Sequence, residues 1–169
     1  RGPFPVGVRS TTLQDTERDR SIPLEFWYPA ASRHQGQDLD PATRDHFKLL
    51  AFAPETSQDA VRDATAVPGT YPALLFSHGW SGHRRQTTHL CTHLASHGYL
   101  VGSIDHLGNT VTDLIQFLLA ARSGKPIPDG NEIASRSIHD RPLDLSFALD
   151  ALLEGSVLPQ SVSANPNQL

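Results

Sequence analysis

Two hydrophobic periods divide the chain. Val6 to Leu13 (VGVRSTTL) and Ile22 to Tyr28 (IPLEFWY) follow the two-residue period of strands with one buried face, and the wholly polar Gln14 to Ser21 lies between them. The pattern predicts an antiparallel hairpin with a longish loop, ended by Pro29. Residues 30–70 form an insertion rich in Asp, Gln, Pro and Ser. Within it Asp40-Pro41 has the form of an N-cap followed by proline at the first helical position, which predicts a short helix through about Phe52. A bland surface excursion is the plainer reading of the insertion, and a cover over the mouth of a site the alternative.

Ala73-Leu74-Leu75-Phe76 is an unbroken apolar run, the mark of a strand buried on both faces of a parallel sheet. His78-Gly79-Trp80-Ser81-Gly82 breaks it with two glycines, predicting a tight turn whose backbone approaches something closely. From His83 to His97 apolar residues recur at Leu90, Cys91, Leu94 and Ala95 with helical spacing, and Gly98 stops the helix. Tyr99 to Ile104 is a second buried strand, ending at Asp105-His106-Leu107-Gly108-Asn109. Two parallel strands and a crossover helix make a right-handed βαβ unit, which gathers binding groups at the strands' carboxyl ends. A helix is predicted over Thr110 to Arg122, then a loop from Pro126 to Asn131. A second helix follows over Ser135 to Glu154, with Pro142 near its first turns and Asp140 favouring its start. Gly155 to Leu169 reads as loop or tail.

The fold class is therefore α/β, in one domain spanning 1–169: an antiparallel N-terminal hairpin, then a parallel βαβ with crossover helices. The sheet is incomplete, because two buried parallel strands are few for the helices present and the last helix should feed another strand.

Composition narrows the function. A net charge of -4 over 169 residues and a pI near 6.1, with no basic cluster beyond Arg84-Arg85, argue against a nucleic-acid surface. That arginine pair reads as a solvated helix start. No run reaches the roughly eighteen apolar residues of a membrane span. The single Cys91 cannot form an intramolecular disulfide and reads as a small core residue. The chain starts at Arg1 and contains no Met, so a processed, trimmed or partial sequence is expected. The compartment stays open, export included should an upstream signal have been removed.

The order of several segments resembles the N-terminal half of an α/β-hydrolase. These are Gly2 to Gly7, Glu25 to Pro29, Phe76 to Gly82, Gly98 to Val101, Asp105 to Asn109 and Arg141-Pro142-Leu143-Asp144. The likeness is to bacterial dienelactone-hydrolase-like esterases and the platelet-activating-factor acetylhydrolase group. It implies that the turn after the first buried strand supplies half of an oxyanion hole. Fixed N–H groups there stabilise the charge that acyl transfer puts on a carbonyl oxygen. The matching donor is the Trp80 N–H, with His78, Gly79, Ser81 and Gly82 around the substrate. The plainer reading of the pentapeptide is a strand-to-helix turn and nothing more.

The elbow G-x-S-x-G that carries the family's nucleophile does not occur. Gly79-Trp80-Ser81-Gly82-His83 is nearest, but His83 stands where a glycine is needed, which disfavours Ser81. The resemblance thus implies the N-terminal portion of a serine ester hydrolase whose nucleophile, acid and catalytic His lie in a remaining half of the domain. Its substrate would be a small-molecule, lipid or polyester ester, and no cofactor is called for. The rivals are a non-catalytic α/β module and, lower, a nucleotide-binding domain, which would need G-x-G-x-x-G or P-loop spacing. His89, His93 and His97 share a helical face, yet without the Glu of H-E-x-x-H they read as a solvated face and not a metal site. Asp105, His106, Ser103 and Asp144 read as structural.

Overall fold

The computed structural model describes residues 1–168. The hairpin forms as the alternation predicts, between β1 (Val6–Asp15) and β2 (Arg20–Pro29), with a shorter loop than expected because pairing continues to Asp15 and Arg20. β5 (Val61–Arg62) joins β1 in parallel, and β8 (Leu100–Ile104) joins β2 antiparallel. β7 (Ala73–Ser77) runs parallel to β8, giving the sheet order β5-β1-β2-β8-β7.

Alternate residues along β2 and β8 face two different cores. Leu24, Phe26, Tyr28 and Ile104 pack with Ala148 and Ala151 of α3 (Gly130–Leu153). On the other side Trp27, Val101, Val6 and Val8 pack with Cys91 and Ala95 of α1 (Thr88–Ser96). A sheet covered on both faces explains why β8 is apolar throughout and wholly buried. Cys91 is core, as expected, and burial pushes its thiol up to about 11. α2 (Val111–Arg122) is capped by Thr110 and Asp113 in a reciprocal capping box, but buries no residue, and Leu118 and Leu119 stay exposed.

Several expectations are corrected. No helix opens at Asp40-Pro41. The Asp40 carboxylate accepts the Ala42 N–H, one turn follows, and the chain becomes a hairpin of β3 (Asp45–Lys48) and β4 (Glu55–Gln58). Buried Asp45 holds it there through Gln58 and Arg62. The insertion is thus partly built into the domain, since it also supplies β5 and β6 (Gly69–Tyr71). The segment after residue 155 is not all loop: β9 (Val162–Ala164) pairs in parallel with β6, burying Val162 and Ala164. β7 is not covered on both sides but forms an edge of the sheet, with Leu74 exposed.

The helix limits move too. α1 begins at Thr88, after turns from Arg84 to Thr87. α3 begins at Gly130 because Asp129 caps it, so Pro142 and Asp140 lie mid-helix and Asp140 pairs with Arg20. Arg84 and Arg85 are not a solvated start, being bonded to Asp105 and Glu25.

Gly7 faces Tyr28 across the hairpin, and a methyl group there would overlap the Tyr28 ring. That ring is fully buried and tied by its hydroxyl to the Ala64 carbonyl at 2.8 Å, so it has nowhere to go. Gly7→Ala is expected to cost about 1–3 kcal/mol through overpacking. An unchanged urea midpoint would show that the ring yields.

Candidate active site

The carboxyl ends of β7 and β8 lie side by side, and two loops leave them. After β7, His78 turns inward and is 1% exposed. Its Nδ1–H donates to the Gly79 carbonyl at 2.7 Å, and its Nε2 accepts the His106 backbone N–H at 3.1 Å. This pairing requires the neutral ring. Burial, followed by the nearby His106 and Arg141, moves the His78 pKa below 6.5 and keeps the ring neutral, although the Gly79 carbonyl acts the other way.

The turn is held amide by amide. Gly79 N–H donates to Gln86 Oε1, Ser81 N–H to Asn109 Oδ1 at 2.9 Å, and Gly82 N–H to the Gly79 carbonyl at 3.0 Å. Among the described residues the Trp80 N–H alone of these four has no partner. The left-handed residue is Ser81, at φ 51°, and neither glycine. Gly82 serves close approach, since a Cβ there would run into Gln86 and the Gly79 carbonyl. The His78 to Gly82 set singled out in the sequence is thus one turn, and the Trp80 indole, 58% exposed, lines a groove with Ile138, Arg141 and Pro142. Beside it a recess of about 140 Å³ opens between the loop after β8, α2 and α3, lined by Asn109, Phe117, Ile133 and Arg141.

Two side chains of α3, three residues apart and so on one face, reach these loops. Arg141 Nη2 donates to the His78 carbonyl at 2.7 Å and more weakly to that of Gly79 at 3.3 Å. Asp144 accepts from Arg18, from Arg20 through two nitrogens, and from His106 Nδ1 at 3.3 Å. Burial pushes its carboxyl up, but the His106 and Arg20 hydrogen bonds and the charge of Arg20 outweigh this and bring it down to about 2. Asp144 is structural, as the sequence reading has it. The part it and Arg141 play in holding the loops was not foreseen, though the Arg-Pro-x-Asp spacing carried the signal.

His106 Nε2 also meets Ser77 Oγ at 2.9 Å, so Ser77, His106 and Asp144 have the connectivity of a serine–histidine–carboxylate relay. Two facts make it a brace and not a nucleophile. Asp144 is already ion-paired with two guanidinium groups, and His106, 1% exposed, cannot reach a leaving group. Asp105 turns the other way, accepting the Arg84 N–H at 2.6 Å. His89, His93 and His97 are exposed, and no group of three His, Cys, Asp or Glu placed to hold a metal occurs among the described residues.

Sheet order, crossover helices and the loops at the strand ends define an α/β-hydrolase fold. The family model for platelet-activating factor acetylhydrolase, isoform II, matches residues 47–136, more than half of the chain, and the chain belongs to that family. Among solved structures it is similar to the ferulic acid esterase from Streptomyces cinnamoneus, with a TM-score of 0.59 and 22% identity over 95% of this chain and 51% of that one. It spans about half the length of that esterase, and at this identity the likeness shows the fold. No curated protein matches it.

Asp144 yields a pH dependence whose sign follows from its lowered pKa. Above the ordinary 3.8 the carboxyl is ionised in both states and its contribution is complete, and it is lost as pH falls through about 2. The loss amounts to about 2 kcal/mol. His78, also lowered, acts in a higher window: stability is complete above 6.5 and falls as pH drops from there toward the folded value. Urea melts against pH should show both limbs, and in Asp144→Asn the lower one should flatten. A lower limb of the same slope in that variant would contradict the assignment.

Proposed function

We propose that this chain is the oxyanion-hole portion of a serine carboxylic-ester hydrolase, with the Trp80 N–H as one of the two donors. The observation that carries the reading is that this amide is unpaired while those of Gly79, Ser81 and Gly82, on either side of it, are bonded. An amide fixed in place and left vacant suits a carbonyl oxygen that gains charge during attack, because no reorganisation is needed at that moment. Gly79, Ser81 and Gly82 shape the substrate's surroundings, whereas His78, expected there from the sequence, is buried and acts only by holding the turn. The groove beside the Trp80 indole takes an apolar part of a small-molecule, lipid or polyester ester.

The nucleophile, acid and base come from the remaining half of the domain. The open edge of β7 supports this. Ala73 N–H donates to the Gln168 carbonyl at 3.1 Å, and Asn165 N–H to the Tyr71 carbonyl at 2.8 Å. The segment after β9 thus runs up to that edge in the direction of β7. A strand continuing along it would end beside Ser77 and the turn, where an elbow serine would face the Trp80 amide. The reaction needs no organic cofactor: serine attacks, an acyl-enzyme forms and water resolves it.

Arg1 to Leu169 alone should show no serine-dependent hydrolysis of p-nitrophenyl acetate and no labelling by a fluorophosphonate. Turnover abolished by Ser81→Ala or Ser77→Ala would overturn the reading. In the polypeptide that also carries the nucleophile strand, Trp80→Pro deletes an N–H that bonds nothing in the fold. It should lower kcat about a hundredfold to a thousandfold beyond the effect of Trp80→Ala, which removes the indole from the groove but keeps the N–H.

A further inference from the structure

We infer that Arg141 is a positioning residue for acyl transfer, acting through the Gly79–Trp80 peptide to aim and polarise the Trp80 N–H. The inference rests on the function proposed above. The Gly79 carbonyl accepts three hydrogen bonds, from His78 Nδ1 at 2.7 Å, Gly82 N at 3.0 Å and Arg141 Nη2 at 3.3 Å. Carbonyl and N–H of one peptide are conjugated and point opposite ways. Donors on the oxygen therefore draw charge from the nitrogen and strengthen its N–H as a donor, by roughly 10–30% for each bond in a chain. Arg141 adds a full positive charge behind the dipole, and its shorter bond to the His78 carbonyl, at 2.7 Å, stops the turn from rotating.

What sets Arg141 apart among the half-buried arginines is its lack of a counter-ion. Arg18, Arg20, Arg62, Arg84 and Arg85 all pair with buried or part-buried carboxylates, whereas Arg141 has none among the described residues. Its Nε is buried without any partner, a feature it shares with Arg44 and Arg84, whose charges are nonetheless paired. A half-buried cation kept only for stability would have an anion beside it, because an unpaired one costs free energy. Left unneutralised, its field points through the turn toward the place where the oxyanion would form.

Two variants of the full chain test this: Arg141→Met keeps the stem without charge or donors, and Arg141→Lys keeps the charge without the fork. In ¹⁵N-labelled protein the Trp80 amide proton should move upfield in Arg141→Met and less far in Arg141→Lys, while Val8 and Leu100 amides stay in place. A folded Arg141→Met with an unmoved Trp80 amide overturns the inference. If that variant does not fold, an unmoved amide in Arg141→Lys does so. In the polypeptide bearing the nucleophile strand, Arg141→Met should lower kcat roughly tenfold with KM held within about twofold. A loss confined to KM would assign Arg141 to substrate binding and overturn it. Absence of serine-dependent turnover in the unmutated polypeptide would sink the proposed function, whereas the amide shift would still decide whether Arg141 governs the turn.

Discussion

The fully buried carboxylate of Asp144 is where the site and the scaffold meet. It draws Arg18 and Arg20 from the far end of the hairpin and His106 from the end of β8 onto one helix. Burying a carboxylate is costly unless its lone pairs are met, and here four nitrogens meet them. The consequence is geometric: α3 cannot slide along the sheet without breaking these bonds together. Its next sheet-facing residues, Ala148, Ala151 and Leu152, are small or apolar and keep it close to the strands. Arg141, one turn earlier, then falls on the loop after β7. Loss of one partner from such a buried group costs about 3–5 kcal/mol, more than a surface pair could offset.

The opposite face of the sheet is anchored by a second buried acid. Glu25, on β2, gathers Arg62, Arg85 and Ser10, while Gln58 bridges it to Asp45 and also accepts the Trp27 indole N–H at 2.7 Å. Arg85 lies over the Phe47 ring at 4.6 Å. This network fastens the β3–β4 hairpin of the insertion to the turns before α1. Arg84, next in the chain, then grips Asp105, the residue adjoining His106. The two strand-end loops are thereby held from both faces of the sheet.

Much of this was legible where a period ran long enough. The hairpin, β8 and the three helices follow from alternation or helical spacing, with limits shifted by caps such as Asp129 that lie outside the apolar pattern. The insertion was misread because Asp40-Pro41 satisfies a helix-start rule locally, while the outcome is set by Asp45 and Gln58, whose partners are distant in sequence. β9 was missed because three residues cannot display a period. The turn at His78 to Gly82 could be read from its glycines and its place after a strand. The bonds that hold it could not, because Arg141 lies 63 residues away from His78 and Asn109 lies 28 from Ser81.

The geometry at Ser81 shows how such a turn stays in place. A non-glycine residue in the left-handed region costs of order 1–3 kcal/mol and persists only where its surroundings over-determine it. Here Asn109 supplies that restraint, accepting the Ser81 N–H and donating through Nδ2 to Ser137 Oγ at 2.7 Å. Ser137 stands one turn before Arg141 on α3, so the helix that fixes the His78 and Gly79 carbonyls also fixes the twist that follows Trp80. With both flanking peptides restrained from the same element, the peptide between them is left a single orientation. Its N–H has no partner among the described residues, and the bonds that fix the peptide all fall on its neighbours and on its own carbonyl.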